Sequence, residues 1–272
     1  MITCGLDLGA GSTKGVLLED GRTVLATAIV PTRGNAVEAG RKVLELLVEE
    51  ENLFPGDIGY LCTTGGARYA FPERHLQVSD ITAASRGAVF LHPGTRHVVD
   101  IGSQSSRAMS VTETGRVLRF KMNEKCAAGA GRFVDRCAKY LQVPLEEMAP
   151  KALTSANPKM ISSVCAVLAE TEIINNVADE VPLPDILMGV FLSLAQRAHV
   201  LMRYVGIQPD IALVGGLVRS AAMVRALERT TGSPIVAEPL GQHAAALGAA
   251  VLGFSRLQKI GGKPVALAAA EV

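Results

Sequence analysis

The sequence predicts a mixed α/β protein that contains two duplicated subdomains. Apolar runs alternate with glycine-containing turns along the 272 residues, and 49% of the residues are hydrophobic, as in ordinary globular chains. The stretch CGLDLGAGSTK at residues 4–14 recurs as HVVDIGSQSSR at residues 97–107. Each copy reads as an apolar strand, an Asp-x-Gly turn and a basic residue. A repeat at this long period indicates duplicated domains rather than a solenoid.

Hydrophobic periodicity and turn residues predict the remaining elements. Each copy continues into a second apolar strand and another turn, followed in the first half by a helix, a strand ending in TTGG and a second helix. The chain then becomes helical before a late strand that ends in two glycines, and it closes with a small-residue helix suited to close packing. The predicted bounds are a helix at 35–51, a strand at 58–63, a helix at 79–90, helices from near Gly129 and Cys165, and a helix at 184–204.

These elements divide the chain into an N-terminal subdomain at 1–95, a C-terminal subdomain at 96–255 and a tail at 256–272. The net charge of +1 supplies no global field for nucleic acid or an anionic membrane. The longest apolar helix candidate, at 186–205, is interrupted by Gln196, Arg197 and Arg203, which argues against a membrane span. Because the first residues enter a strand with no signal-like segment, we expect a cytoplasmic protein.

The two Asp-x-Gly turns are candidate phosphate-binding hairpins. Glycines let backbone amides approach an anion, hydroxyls and a cation surround it, and Asp7 is suited to holding Mg²⁺ through water. The alternative for one such turn alone is an ordinary hairpin, but the second copy and the late Gly-Gly turn favour phosphate. We expect Asp7, Asp100 and Gln104 to be catalytic. The expected nucleotide-binding residues are Gly9, Gly11, Ser12, Thr13, Lys14, Gly102, Ser103, Gly129, Gly131, Arg132, Gly215 and Gly216.

Two phosphate hairpins followed by a strand that ends in Gly-Gly resemble the nucleotide-binding superfamily of actin, sugar kinases and heat-shock chaperones. The resemblance implies two subdomains around a nucleotide cleft. It also implies that the hairpins clamp the phosphates of ATP or ADP and that Gly215 and Gly216 face the adenosine.

The cysteines suggest a second kind of site. An odd count of five disfavours a disulfide framework. Cys126 in NEKCAAGAGRF and Cys165 in SSVCAVLAETEIIN each stand at a predicted helix start, where the helix dipole stabilises negative charge. Two thiolates per chain become four in a dimer, the ligand set of a [4Fe–4S] cluster. The alternative is two buried structural thiols, and the spacing alone leaves both open.

This pair of motifs resembles the BadF/BadG/BcrA/BcrD-type ATPase family, which includes activators of 2-hydroxyacyl-CoA dehydratases and ATPase subunits of benzoyl-CoA reductases. The resemblance implies that Cys126 and Cys165, with the same pair from a second subunit, hold one [4Fe–4S] cluster. It also implies an electron-transfer ATPase that receives electrons from a ferredoxin-like donor. The recipient would be a catalytic iron–sulfur reductase or dehydratase component acting on an acyl-CoA.

The chain departs from the activator pattern at several positions, and these departures indicate which members of the family it resembles more. The activators read DIGGQDSK where this chain has DIGSQSSR, so Ser103 and Ser105 replace a glycine and an acid. Whether this site hydrolyses ATP or mainly binds it therefore stays open. The stretches RGAVFLHP and CAVLAET look closer to the small ATPase subunit of benzoyl-CoA reductase, which implies a heterodimer with a homologous subunit. The alternatives are a homodimeric dehydratase activator and a metal-free small-molecule kinase.

Overall fold

The computed structural model describes residues 1–123 and 130–262. Its strands are β1 Ile2–Leu8, β2 Ser12–Glu19, β3 Thr23–Pro31, β4 Ile58–Thr64, β5 Leu76–Gln77, β6 His97–Ile101, β7 Ser106–Val111, β8 Val117–Asn123, β9 Ile211–Gly215 and β10 Ile235–Val236. Its helices are α1 Ala36–Glu50, α2 Asp80–Leu91, α3 Gly131–Tyr140, α4 Leu145–Leu153, α5 Ala166–Ala178, α6 Leu183–Val205, α7 Ala221–Thr231 and α8 Ala244–Lys259.

The strands form two five-stranded sheets with the same topology. The first sheet has the order β3-β2-β1-β4-β5, and the second, read from its other edge, has β8-β7-β6-β9-β10. In each sheet an antiparallel hairpin, β1–β2 or β6–β7, lies beside a parallel neighbour, β4 or β9. The duplication predicted from the sequence echo is therefore present in strand order and strand direction.

The chain divides into two compact units. Unit 1 comprises Met1–Gly94, Val111–Val117 and the chain from His243 onward, and unit 2 comprises Thr95–Ser110 and Leu118–Gln242. The sequence boundaries differ from this division, because they placed the last helix in the C-terminal subdomain. That helix, α8, lies in unit 1 and extends to Lys259, four residues into the segment assigned to the tail.

Unit 1 encloses its sheet between helices. Cys4, Leu6 and Leu8 alternate along β1 and pack with Val43 and Leu47 of α1. The intervening positions face α8, where the Thr3 hydroxyl donates to the carbonyl of Ala250. A Cβ at Gly5 would lie 1.9 Å from the carbonyl oxygen of Ala246, and one at Gly248 would lie 1.8 Å from that of Ala83 in α2. The predicted small-residue helix thus packs against β1 and α2 at backbone distance.

Unit 2 is built around α6. Phe191, Leu194 and Met202 are among its residues in the main hydrophobic cluster, which also takes in α3, α4, α5, α7 and the second sheet. Within the described residues α6 is the single helix long and apolar enough to cross a membrane. However, 78% of its apolar window is buried inside the protein, as in the core helix of a globular domain.

The predicted bounds agree with the structure to within a few residues, with some omissions. Cys165 is the N-cap of α5, and α6 begins at Leu183, one residue before the predicted start. Helix α4 was not predicted because it contains Pro150, a residue that disfavours helix interiors. The strands β5 and β10 are two residues long and carry no periodicity to read.

The close approach of α8 to α2 generates a stability prediction. We expect Gly248→Ala to lower the free energy of unfolding by about 1–3 kcal/mol through overpacking, although alanine is the better helix former. Urea unfolding measures the change. The control is Gly56→Ala, where the new Cβ meets no atom of the described residues within 4 Å. A Gly248→Ala protein as stable as the control variant would show that the two helix backbones are not in contact.

Candidate functional site

The first hairpin places a carboxylate opposite a cation. Asp7 and Lys14 are register partners in the β1–β2 pair, and the Lys14 ammonium lies 3.6 Å from a carboxylate oxygen of Asp7. Both side chains are mostly buried. A mostly buried charge is tolerated when an opposite charge lies beside it. The end of β1 therefore carries a carboxylate whose charge is balanced by Lys14.

The turn of this hairpin is braced by Thr32, the residue after β3. The Thr32 hydroxyl donates to the carbonyl of Gly9 at 2.6 Å and lies 3.0 Å from the hydroxyl of Thr13. The Thr32 amide donates to the carbonyl of Gly11 at 3.2 Å. The predicted residues Gly9, Gly11, Ser12 and Thr13 therefore form one rigid turn, with the Thr13 hydroxyl already in contact with Thr32.

The second hairpin repeats this arrangement with a tighter ion pair. Asp100 and Arg107 are register partners, and the guanidinium donates to the Asp100 carboxylate at 2.7 Å. The turn is closed by the Gly102 amide, which donates to the carbonyl of Ser105 at 2.9 Å. Gln104 is exposed at its tip. Arginine forms a directional hydrogen bond as well as an ion pair, so Asp100 is held more firmly than Asp7.

A glycine follows each parallel neighbour strand at the same place. Gly65 after β4 has φ +89, and Gly215 at the end of β9 has φ +92. A Cβ at Gly65 would lie 2.6 Å from an Asp7 carboxylate oxygen, and one at Gly215 would lie 2.4 Å from that of Asp100. Gly215 was predicted, whereas Gly65 was missed. The signal for Gly65 was the TTGG turn, whose importance depends on β4 pairing beside β1.

The start of α3 rests on the second hairpin. The amides of Gly131 and Arg132 donate to the carbonyls of Gly102 and Ser103 at 2.9 and 3.0 Å. Gly131 and Arg132 were predicted to bind the nucleotide, and this stays a prediction, although both amides already have protein acceptors. The two amides fasten α3 to the hairpin, while the Arg132 side chain is exposed. The predicted residue Gly129 lies outside the described residues.

Among the described cysteines, Cys165 differs from the other three. Cys4, Cys62 and Cys137 are fully buried, whereas Cys165 is partly exposed at the N-terminus of α5. Burial raises the pKa of the Cys62 and Cys137 thiols to about 12 and raises the pKa of the Cys4 thiol as well. Cys126 lies outside the described residues. Within residues 1–123 and 130–262, no three His, Cys, Asp or Glu residues are grouped to hold a metal ion.

Two glutamates fix the surroundings of Cys165. Glu172 accepts a hydrogen bond at 2.6 Å from the amide of Ser162, which braces the loop before the cysteine. Glu170 forms an ion pair at 2.6 Å with Arg136 of α3. The two acids therefore join α5 to the preceding loop and to α3, rather than forming a solvated surface.

The fold is that of the actin-like and sugar-kinase type of ATPase. A ROK hexokinase from Thermus thermophilus shares it at 18% identity, with a TM-score of 0.53 over 95% of this chain and all of that chain. Residues 4–253 match the BadF/BadG/BcrA/BcrD ATPase family, and the chain belongs to this family.

Two relatives cover nearly the whole chain. The 2-hydroxyisocaproyl-CoA dehydratase activator of Clostridioides difficile is 35% identical over 95% of this chain and 97% of its own length. Its structure with bound ADPNP gives a TM-score of 0.91, covering 96% of this chain and 97% of that chain. A benzoyl-CoA reductase subunit of Thauera aromatica is 35% identical over 95% of each chain. The sequence prediction of the family and of its fold is confirmed.

The glycine beside Asp100 generates a prediction about the second hairpin. Gly215→Ala places a Cβ against the Asp100 carboxylate at a positive φ, so we expect a loss of about 1–3 kcal/mol in unfolding free energy. We also expect weaker ATP binding, measured by calorimetry. In Gly216→Ala the nearest contact of the new Cβ among the described residues is the Ile101 carbonyl at 3.9 Å, so stability should change by less than about 0.5 kcal/mol. Equal losses of stability in the two variants would refute the close contact between Gly215 and the Asp100 carboxylate.

The cysteine environments generate a prediction about thiol reactivity. At pH 8 the thiols of Cys62 and Cys137 stay protonated because burial raises their pKa to about 12, and thiolate is the reactive form. In iron-free protein we expect Cys165→Ala to remove one equivalent of fast-reacting thiol in a DTNB titration. Cys62→Ala should remove none until the protein is unfolded. The reverse pattern would contradict the burial described here.

Proposed function

We propose that this chain is an ATP-hydrolysing iron–sulfur component that delivers a low-potential electron to a partner catalytic subunit. The observation that carries the proposal is its full-length similarity to a dehydratase activator whose structure holds ADPNP, at 35% identity and a TM-score of 0.91. The two hairpins with paired Asp and cation add support, because they supply charges and rigid turns suited to a triphosphate.

In this proposal Asp7, Asp100 and Gln104 are the catalytic residues, and the glycine turns with Lys14 bind the nucleotide. Carboxylate oxygens are ligands that Mg²⁺ prefers, usually with water between. The Lys14 ammonium lies 3.6 Å from Asp7, whereas Arg107 is hydrogen-bonded to Asp100 at 2.7 Å. Asp7 is therefore the better candidate to hold hydrated Mg²⁺, while Asp100 is the catalytic carboxylate that Arg107 holds in place.

Cys165 fits the role of a cluster ligand. Its thiol is partly exposed at a helix N-terminus, unlike the three buried cysteines. We assign Cys126 and Cys165 as the two ligands from this chain, with two more from a second subunit. When bound, a [4Fe–4S] cluster supplies one-electron chemistry at low potential, tuned by hydrogen bonds and solvent exposure.

The surface beside Cys165 supports a shared subunit interface. One apolar residue just before α5 and four on α5 are more than half exposed: Val164 79%, Val167 66%, Leu168 53%, Ile174 57% and Val177 51%. Several exposed apolar side chains along one helix indicate an interaction surface. The second subunit, a homologous ATPase chain or another copy of this one, is its proposed occupant.

Contacts within unit 2 lead from the second hairpin to the cysteine. The carbonyls of Gly102 and Ser103 accept hydrogen bonds from the first amides of α3. Arg136 of α3 is paired with Glu170 of α5, and Cys165 caps α5. A shift of the hairpin on nucleotide binding would therefore be transmitted through two helices that move as packed bodies. This route is the proposed coupling between ATP and electron transfer.

The partner enzyme is proposed from the sequence departures. Ser103, Ser105 and the stretches RGAVFLHP and CAVLAET, which resemble the small benzoyl-CoA reductase subunit, favour a heterodimer that serves benzoyl-CoA reductase. The second candidate is a homodimeric activator of a 2-hydroxyacyl-CoA dehydratase, favoured by the 35% identity and TM-score of 0.91 with such an activator. A ferredoxin-like protein is the proposed electron donor in both.

Anaerobic co-purification with iron and sulfide analysis tests the proposal. We expect a brown protein with ATPase activity and about two iron and two sulfide per chain, which is one four-iron cluster per pair of subunits. Cys126→Ser and Cys165→Ser should lose the iron and retain ATP binding. Cys62→Ala is the control and should keep the iron, because that thiol is buried away from the surface.

The same preparation separates the alternatives. A related but distinct ATPase chain in the complex supports the benzoyl-CoA reductase type, whereas a pure homodimer supports the dehydratase activator. A colourless anaerobic protein that phosphorylates a small molecule, with activity unchanged by Cys126→Ala, would overturn the proposal in favour of a metal-free kinase.

A further inference from the structure

A buried hydroxyl beside the first hairpin has no hydrogen-bond partner in the described part of the chain. The side chain of Thr64, the last residue of β4, is fully buried, and its Oγ1 forms no hydrogen bond with residues 1–123 and 130–262. Buried polar atoms are nearly always paired, because an unpaired one loses its hydration without compensation. An unpaired hydroxyl at this place therefore needs an explanation.

The position of Thr64 puts this hydroxyl next to Asp7. The two residues are register partners in the parallel β1–β4 pair. Partners in a parallel sheet direct their side chains to the same face, and alternate residues of a strand share that face. Cys62 packs with Ala249 on the α8 side, and Gly5 faces the same helix. Thr64 and Asp7 thus share this face, at the strand ends where the candidate phosphate turn begins.

Unit 2 shows that the fold does not require a hydroxyl here. Asp100 has Val214 as its register partner on β9, the position equivalent to Thr64 beside Asp7. Val214 is buried and is followed by Gly215, as Thr64 is followed by Gly65. Valine has nearly the shape of threonine without the polar atom. The hydroxyl is therefore a feature of the Asp7 centre and not a demand of the repeated topology.

The neighbouring threonine shows what a structural hydroxyl looks like on this strand. Thr63 is equally buried, but its Oγ1 donates to the carbonyl of Arg68 at 2.9 Å and lies 3.5 Å from that of Leu76. These contacts tie the end of β4 to the chain that follows. Thr63 and Thr64 are adjacent residues of the same type, but the Thr63 hydroxyl is hydrogen-bonded and the Thr64 hydroxyl is not. We therefore assign the Thr63 hydroxyl to stability and look for a function of the Thr64 hydroxyl.

We infer that the Thr64 hydroxyl is a ligand-binding group of the ATP site, where it forms a hydrogen bond with an oxygen of the terminal phosphoryl group. This inference rests on the proposed function. The whole Thr64 side chain is buried in the structure, so this contact requires the residues that cover it to move when the nucleotide binds. In this inference the Thr64 hydroxyl, beside Asp7, distinguishes ATP from ADP because ADP lacks the terminal phosphoryl group.

The test compares Thr64→Val with Thr63→Val. For Thr64→Val we expect ADPNP binding to weaken roughly ten- to a hundredfold, as on losing a hydrogen bond to a charged group, while ADP binding stays unchanged. The thermal midpoint should stay level or rise, because the unpaired hydroxyl is gone. Thr63→Val should lower the thermal midpoint and leave both nucleotide affinities unchanged. Thr64→Ser, which keeps the hydroxyl, should restore ADPNP binding.

Two outcomes would overturn the inference. One is a Thr64→Val protein with wild-type preference for ADPNP over ADP, and the other is a Thr64→Val protein destabilised as much as Thr63→Val. Failure of the proposed function looks different. A wild-type protein without iron or electron transfer would refute that proposal, while the ADPNP and ADP affinities of the variants would still decide the role of Thr64.

Discussion

The carboxylate at the end of each central strand, held by a cation from the antiparallel strand beside it, constrains much of the surrounding structure. A carboxylate that is mostly removed from water needs a nearby opposite charge. The hairpin supplies it in register, as Lys14 for Asp7 and Arg107 for Asp100. A glycine must then follow Thr64 of β4 and Val214 of β9, since a Cβ at Gly65 or Gly215 would collide with the carboxylate.

The paired carboxylate and cation occur once in each unit, and their surroundings differ between the two units. In unit 1 the pair lies on the face covered by α8, a helix whose alanines and glycines allow backbone contact with β1 and α2. In unit 2 the second hairpin is fastened to α3, and α3 is joined to α5 by Arg136 and Glu170. One copy of the duplication is therefore built for tight enclosure, and the other is mechanically linked to the helix that begins at Cys165.

Local sequence patterns predicted much of this structure. The hairpins could be predicted because the two repeats match without gaps. Cys165 could be predicted because a cysteine directly before an apolar helix is a recognisable pattern. Gly65 and Thr64 were missed because their importance comes from strand order, which brings β4 beside β1 across some fifty residues of chain. The engaged amides of Gly131 and Arg132 were also beyond reach, since a glycine-rich helix start has the same sequence whether its amides bind phosphate or protein. The placement of α8 in unit 1 is likewise a non-local fact.

That last placement has a consequence for the order in which the protein is made. Every segment of unit 2 precedes His243, whereas unit 1 needs the chain from His243 onward. Domains fold as units during synthesis, usually the N-terminal one first. Here the first sheet emerges from the ribosome early but lacks the helix that covers the face of Gly5, so it waits while the later-encoded unit becomes complete. That face of nascent unit 1 stays uncovered until α8 has been synthesised.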